Sequence, residues 1–246
     1  MNHPIKSSKS PGRTQGAKLE GYVVRHDEFR NRILDAAEAL IAEAGNTSFA
    51  TRELAIRAGV SAATPFNHFG SKRGILSAIV DRSLERLATQ REQPTRLGDP
   101  LERIFRNADV VVSYYAAKPK LFRPVFGELV GNPVFSELVG NEAISRYHTL
   151  QQANTTWRLE LDAASDAGQL RRGRDLDVVA NQLEANWLGS LVLWIIGRVD
   201  GDGWKLQSEY GTALTLAGVV TAEELDRLVG RITRLERRLA RLVGPS

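Results

Sequence analysis

Gly59 sits between two stretches too short to stand as helices alone, and this spacing constrains the fold more than anything else in the chain. Upstream, Thr51 reads as the N-cap of a helix running from Arg52 to Ala58. Downstream, Ser61 reads as the cap of a second, reaching about Phe69. Gly59 and Val60 form the turn between them, where glycine supplies the positive φ that a sharp reversal needs. Ala55 is small enough to let the two helices cross closely, and Leu54, Ala58 and Val60 offer a buried side. Two short helices so joined make a helix-turn-helix over about residues 50–69.

Helical periodicity continues on both sides. Ile33, Leu34, Ala37, Leu40, Ile41 and Ala44 form one apolar stripe, closed by Gly45. Gly70 breaks the second short helix. Ser71 then caps a longer one carrying Ile75, Leu76, Ile79, Val80, Leu84 and Leu87. Pro94, Gly98 and Pro100 mark a hinge. Beyond it the pattern predicts a helix over 101–116 and a segment broken by Pro119, Pro124, Gly131 and Pro133. A long helix follows, from Ser136 or Asn141 to Ala167, and another from the Asp175 cap to about Arg198. After a turn at 200–203 comes a helix over 204–216. A last helix over 221–243 opens with a Thr221/Glu224 capping box. No segment alternates with the two-residue period of a strand and no repeat is visible. The expected fold is therefore all-α: an N-terminal three-helix head over 26–90 and a larger helical domain over 91–246.

The net charge of +4 is localised. Residues 1–25 hold five basic residues (Lys6, Lys9, Arg13, Lys18 and Arg25) against Glu20, whereas 26–90 and 91–246 are each balanced. This tail, with Ser, Gly and Pro, reads as disordered; it either lies along phosphates or only aids solubility. The head's own zero charge is weak for a phosphate-binding module. There is no cysteine, which excludes disulfides and thiolate metal sites and fits a reducing cytoplasm. No apolar run is long enough to span a bilayer and the N-terminus lacks a signal peptide's apolar segment, so a cytoplasmic protein without membrane contact is expected. His3, His26, His68 and His148 are isolated from one another, and no nucleotide loop, zinc-spaced pair or nucleophile elbow occurs. Neither enzymatic activity nor a cofactor is expected.

The second short helix opens with Ser61, Ala62, Ala63 and Thr64, side chains small enough to enter a major groove about 12 Å wide. It ends Phe66, Asn67, His68, Phe69, Gly70, Ser71, Lys72. This head resembles that of the TetR (tetracycline-repressor) family of transcriptional regulators over about 60 residues, and the Phe66–Lys72 ending is its most specific part. The resemblance implies that Thr51 and Arg52 contact phosphate or the groove edge and that Ala62, Ala63, Thr64 and Asn67 face bases or sugars. It implies phosphate contacts for His68 and for Lys72, the latter at a helix N-terminus. Phe69 is expected in the core. Two residues depart from the pattern. Phe66 stands where a tyrosine is usual and cannot make its phosphate contact. Pro65 replaces an aliphatic residue in the first turn, where its missing N–H is tolerated. Taken singly, Thr51 and Ser61 read equally well as caps, His68 as a surface histidine and Arg52 as an ion-pair partner.

The larger domain resembles the effector-binding and dimerisation half of the same family in helical pattern more than in motif. Phe105, Tyr114, Tyr115, Phe122, Phe126, Tyr147, Trp157, Trp187 and Trp194 are candidates for lining a cavity, though core packing needs the same residues. The helices over 175–198 and 204–217 are the candidates for pairing two subunits. Trp187, Leu188, Leu191, Trp194 and Ile195 offer an apolar face that serves either a homodimer or the internal core. In the last helix Leu225, Leu228, Ile232, Leu235, Leu239 and Leu242 form a seam flanked by arginines. It packs on its own domain, on a partner, or on something acidic. The leading expectation is a dimeric repressor on a palindromic operator in double-stranded DNA, released by a small apolar or aromatic effector not named by the sequence. The alternative is an architectural or accessory DNA-binding protein without a ligand.

Overall fold

A computed structural model describes the backbone of residues 13–91, 98–130 and 148–243, with side chains over 27–89, 98–130 and 155–242. The Lys6, Lys9, Arg13, Lys18 and Arg25 side chains, Pro94, the segment 131–147 with Tyr147, and the start of the long helix lie outside the described residues.

α1 (Arg13–Ala44) begins inside the stretch read as an unfolded tail. Leu, Lys, Gln, Glu and Ala between 13 and 25 are strong helix formers, and they outweigh Gly16 and Gly21. Gly45 closes it with φ 67°, its N–H on the Ile41 carbonyl at 2.7 Å. α2 (Thr51–Ala58) starts one residue earlier than expected: Ala50 is the N-cap and its carbonyl takes the Leu54 N–H, so Thr51 lies within the helix. α3 (Thr64–Phe69) starts later. Ser61–Ala63 form a preceding turn in which the Thr64 N–H reaches the Ser61 carbonyl at 3.0 Å. α4 (Lys72–Arg91) is capped by Ser71, whose hydroxyl accepts the Gly74 N–H at 3.0 Å.

α5 (Pro100–Ala116) is capped by the Asp99 carboxylate, which accepts from Leu101 N–H at 2.8 Å. α6 (Pro119–Val130) replaces the predicted broken segment. Pro119 suits a first turn, and Pro124 inside the helix costs about 3 kcal/mol. Burial of Leu121, Phe122, Val125, Phe126 and Leu129 offsets that cost. α7 (His148–Asp166) ends before Gly168 as predicted. α8 (Leu176–Ile195) is capped by Asp175. α9 (Gly201–Ala217) extends through the predicted 200–203 turn because Asp200 accepts the Gly203 N–H at 2.8 Å and caps it. α10 (Ala222–Val243) lacks the expected capping box. The Thr221 N–H donates to the Gln169 carbonyl instead, and Glu224 accepts from Gln169 and Arg227. One isolated antiparallel bridge, Leu170 with Val220, ties these two links; no longer strand occurs among the described residues.

Two apolar clusters meet at α5. The first joins Ile33, Leu34 and Ile41 of α1 with Leu54 of α2 and Leu76 and Ile79 of α4. It continues without a break into Tyr115, Phe122, Val125 and Trp194 of the larger domain. Polar ties reinforce this: Ser83 and Tyr115 hydroxyls meet at 2.9 Å in the interior. The second cluster gathers Ile104, Phe105, Leu161, Leu183, Leu216, Leu228 and Leu235 from α5 and α7–α10. The α10 leucine seam thus packs on its own domain, leaving Leu242 exposed.

Candidate nucleic-acid interface

The α2–α3 turn depends on Gly59, at φ 62° and ψ 41°. Its N–H bonds the Ile56 carbonyl and the Val60 N–H bonds the Ala55 carbonyl, both at 3.0 Å. The Gly59 carbonyl in turn accepts from Arg32 at 2.8 Å, so α1 clamps the turn from behind. No sequence signal marked Arg32, because a basic residue on an outer helix face looks like any solvated charge.

α3 sits on the head by one side. Pro65 is buried; Thr64, His68 and Phe69 are half-buried. The other side carries Ser61, Ala62, Ala63, Phe66 and Asn67 into solvent, as helical period requires of a helix seated on one face. Thr51 and Arg52 lie beside each other at the start of α2, half-buried and exposed respectively. The Ser61 and Thr64 hydroxyls hydrogen-bond to each other at 2.7 Å. Phe66 is 47% exposed, a large apolar ring facing water. The Lys72 ammonium lies 5.1 Å from the Phe49 ring centroid, which holds it near the start of α4.

Electrostatics separate this surface from the rest of the head. From Leu54 to Val80 there is not one carboxylate. Several of the head's acids are engaged elsewhere. Arg57 takes Glu43 bidentately, which draws the Glu43 pKa below its ordinary value through the hydrogen bond. Buried Arg82 takes Asp35 at 2.7 Å and Glu38 at 2.6 Å. Arg86 takes Glu38 at 3.4 Å. Arg52 and Lys72 have no carboxylate partner among the described residues. A head of zero net formal charge therefore presents a locally cationic, carboxylate-free face.

The aromatic candidates of the larger domain mostly pack on one another. Tyr115 meets Phe122 and Phe126 edge-on at 4.8 and 5.0 Å, with Tyr114 alongside. Trp194 stacks on Trp204 at 4.6 Å, and half-buried Trp187 flanks them. Trp157 is buried in the second cluster. Phe105, also buried, lines a cleft of about 220 Å³ between α5, α9 and α10. The α8 face expected for pairing turns inward: Leu191 and Trp194 are core, and Trp187, Leu188 and Ile195 pack on it. The exposed stripe lies opposite and carries Val178, Gln182, Ala185, Gly189, Val192 and Ile196.

These features define a class: an all-helical protein with a helix-turn-helix head. Residues 33–79 match the sequence profile described as bacterial regulatory proteins, tetR family. The helix-turn-helix head of this chain is thus that of the bacterial regulatory proteins of the tetR family. An uncharacterised HTH-type transcriptional regulator of Mycobacterium tuberculosis is 32% identical over 111 residues, covering 41% of this chain and 54% of the relative. The chain thus spans about half the length of the curated relatives it matches. SmeT, the repressor of the Stenotrophomonas maltophilia multidrug efflux pump SmeDEF, shares the fold with a TM-score of 0.59 at 24% identity, covering 78% of this chain and 91% of that one. In its complex with triclosan SmeT gives a TM-score of 0.58 at 25% identity, covering 79% and 92%. A TetR transcription regulator from Haloarcula marismortui gives 0.62 at 17% identity, covering 79% and 100%. No helix among the described residues is long and apolar enough to cross a membrane.

Proposed function

We propose that this chain is a homodimeric, sequence-specific DNA-binding repressor released from a palindromic operator by a small apolar or aromatic effector. The observation that carries the reading is the exposed, carboxylate-free face of α3 flanked by the cations Arg52 and Lys72, which have no carboxylate partner among the described residues. Ser61, Ala62, Ala63 and Thr64 bring the end of α3 to the base edges, with Asn67 one turn on. Thr51, Arg52, His68 and Lys72 hold phosphates on either side. Phe66 contributes apolar contact to sugar or a thymine methyl in place of a hydrogen bond.

Pairing uses the exposed α8 stripe. Val178, Gln182, Ala185, Gly189, Val192 and Ile196 recur at 4, 3, 4, 3 and 4 residues, the period of a helix–helix seam, and exposed Leu214 of α9 extends it. Two heads so joined read two half-sites one helical turn apart. Effector response is supported by SmeT, a related repressor that has been seen with triclosan bound.

The test is selection from random and genomic duplexes at two salt concentrations, with recovery of the bound sequences. One enriched palindrome, bound less tightly at higher salt, is the expected result. Salt-sensitive binding without enrichment would turn the reading to an architectural DNA-binding protein.

A further inference from the structure

The cleft between α5, α9 and α10 is built from more than apolar wall. Its floor is Phe105, Ala108 and Val112. Around it stand three acids and three bases whose pairing is uneven. Lys205 and Asp109 neutralise each other at 2.6 Å. Arg231 is shared: its Nη1 donates to both oxygens of Glu102 at 2.8 and 3.0 Å, and its Nε to Glu209 at 2.8 Å. One guanidinium between two carboxylates leaves one negative charge in excess. Arg106, one turn along α5 from Glu102, also lines the cleft and has no carboxylate partner among the described residues, leaving one positive charge in excess. Side chains four apart on a helix lie about 5–6 Å from each other.

Two further features support a built site. Ser208 of α9 lines the cleft and is 3% exposed, yet its hydroxyl has no hydrogen-bond partner among the described residues. A buried, unpaired hydroxyl is costly and calls for a partner. The Arg231 guanidinium is stacked over the Phe105 ring, 3.7 Å from its centroid, so the shared cation cannot swing away without losing that contact. Burial works against the Arg231 charge, but its bonds to Glu209 and Glu102 prevail and hold its pKa above the ordinary value.

We propose that this cleft binds a small zwitterion with an apolar body, of the chemical class of the apolar and aromatic α-amino acids. The ligand's carboxylate meets Arg106, its ammonium meets the Glu102/Glu209 pair that shares Arg231, and its side chain lies on Phe105, Ala108 and Val112. The Ser208 hydroxyl completes the set as a hydrogen-bond partner for either charged end. A cleft of about 220 Å³ holds roughly seven waters' worth of volume, which suits a molecule the size of phenylalanine. The inference deepens the effector reading above by naming a ligand class and a place, but the binding itself does not depend on that reading.

The experiment is calorimetric titration of the full chain with L-phenylalanine, phenylacetate and 2-phenylethylammonium, followed by methyl NMR. Saturable binding of L-phenylalanine is expected at one site per protomer, at least about tenfold tighter than either singly charged analogue. The Ala108 and Val112 methyl resonances shift with it. Arg106→Gln weakens L-phenylalanine about tenfold, leaves 2-phenylethylammonium unchanged, and Arg106→Lys recovers part of the loss. The proposal is overturned by no saturable binding up to about 10 mM, by either analogue binding as tightly, or by affinity indifferent to Arg106. Operator release is measured separately. Binding at the cleft without any effect on DNA overturns the effector reading alone.

Discussion

At the residue scale the head depends on a few positions where backbone and charge leave little choice. Gly59 holds a left-handed conformation, and a Cβ there would lie 2.3 Å from the Arg32 Nη2 that clamps the turn. Gly59→Ala is expected to destabilise the protein by about 1–2 kcal/mol from the backbone alone and to free Arg32, read as a lowered thermal midpoint. Phe66 is exposed, so Phe66→Tyr should leave stability unchanged. If α3 lies against DNA as proposed, the added hydroxyl gains a phosphate hydrogen bond of about 1 kcal/mol, roughly fivefold in operator affinity. Equal affinities in a binding isotherm would show that the ring does not face the phosphate chain. Gly59 and its turn were legible in the sequence because glycine takes that left-handed conformation without the steric cost a Cβ brings. The Arg32 clamp was not, because 27 residues of chain separate it from Gly59.

At the element scale, boundaries moved where a cap or a tertiary contact competed with local preference. Thr51 and Ser61 look like caps, but neither side chain caps its helix; the Ala50 carbonyl and the Ser61–Ala63 turn set the starts instead. Asp175 and Ser71 are caps, as their spacing predicted. The Arg57–Glu43 pair joins α2 to α1 at the surface and adds a small pH-dependent contribution to the head. The Glu43 pKa in the fold lies below the usual 4.5, so the pair's contribution is full above that value and fades as pH falls through the lowered one. Glu43→Gln should therefore flatten the acid limb of thermal midpoint against pH below about 4.5 and change little near neutrality. An unchanged acid limb would remove the pair from the account. In α10, Leu235 is 3% exposed within the second cluster. Leu235→Ala is expected to cost about 2–5 kcal/mol by denaturant titration, whereas trimming exposed Leu242 should cost far less.

At the scale of the whole molecule, one apolar cluster runs from the helix-turn-helix head through α6 to Trp194 and Trp204, so packed side chains connect the larger domain to the head. The exposed α8 stripe belongs to this scale too. A Cβ at Gly189 meets nothing within 4 Å, so the protomer has room for a larger side chain there. Gly189→Arg should leave the fold intact, measured by circular dichroism, and convert a dimer into a monomer in sedimentation. A dimer that survives the substitution would move the pairing surface away from α8.

The sequence by itself determined the all-helical class, the helix-turn-helix and its turn, and the small residues Ser61, Ala62, Ala63 and Thr64 that lead into α3. Each depends on local chemistry: periodicity, one glycine at a left-handed position, and side-chain size. The tertiary structure alone decided which face of α8 turns inward, since an apolar stripe suits a core and a dimer equally well. It also carried α6 through Pro124, because burial of five apolar side chains outweighs one missing hydrogen bond. The unequal charge pairing around the α5/α9/α10 cleft was invisible for the same reason. Glu102, Glu209 and Arg231 are 129 and 22 residues apart along their contacts, and only packing brings them to one guanidinium.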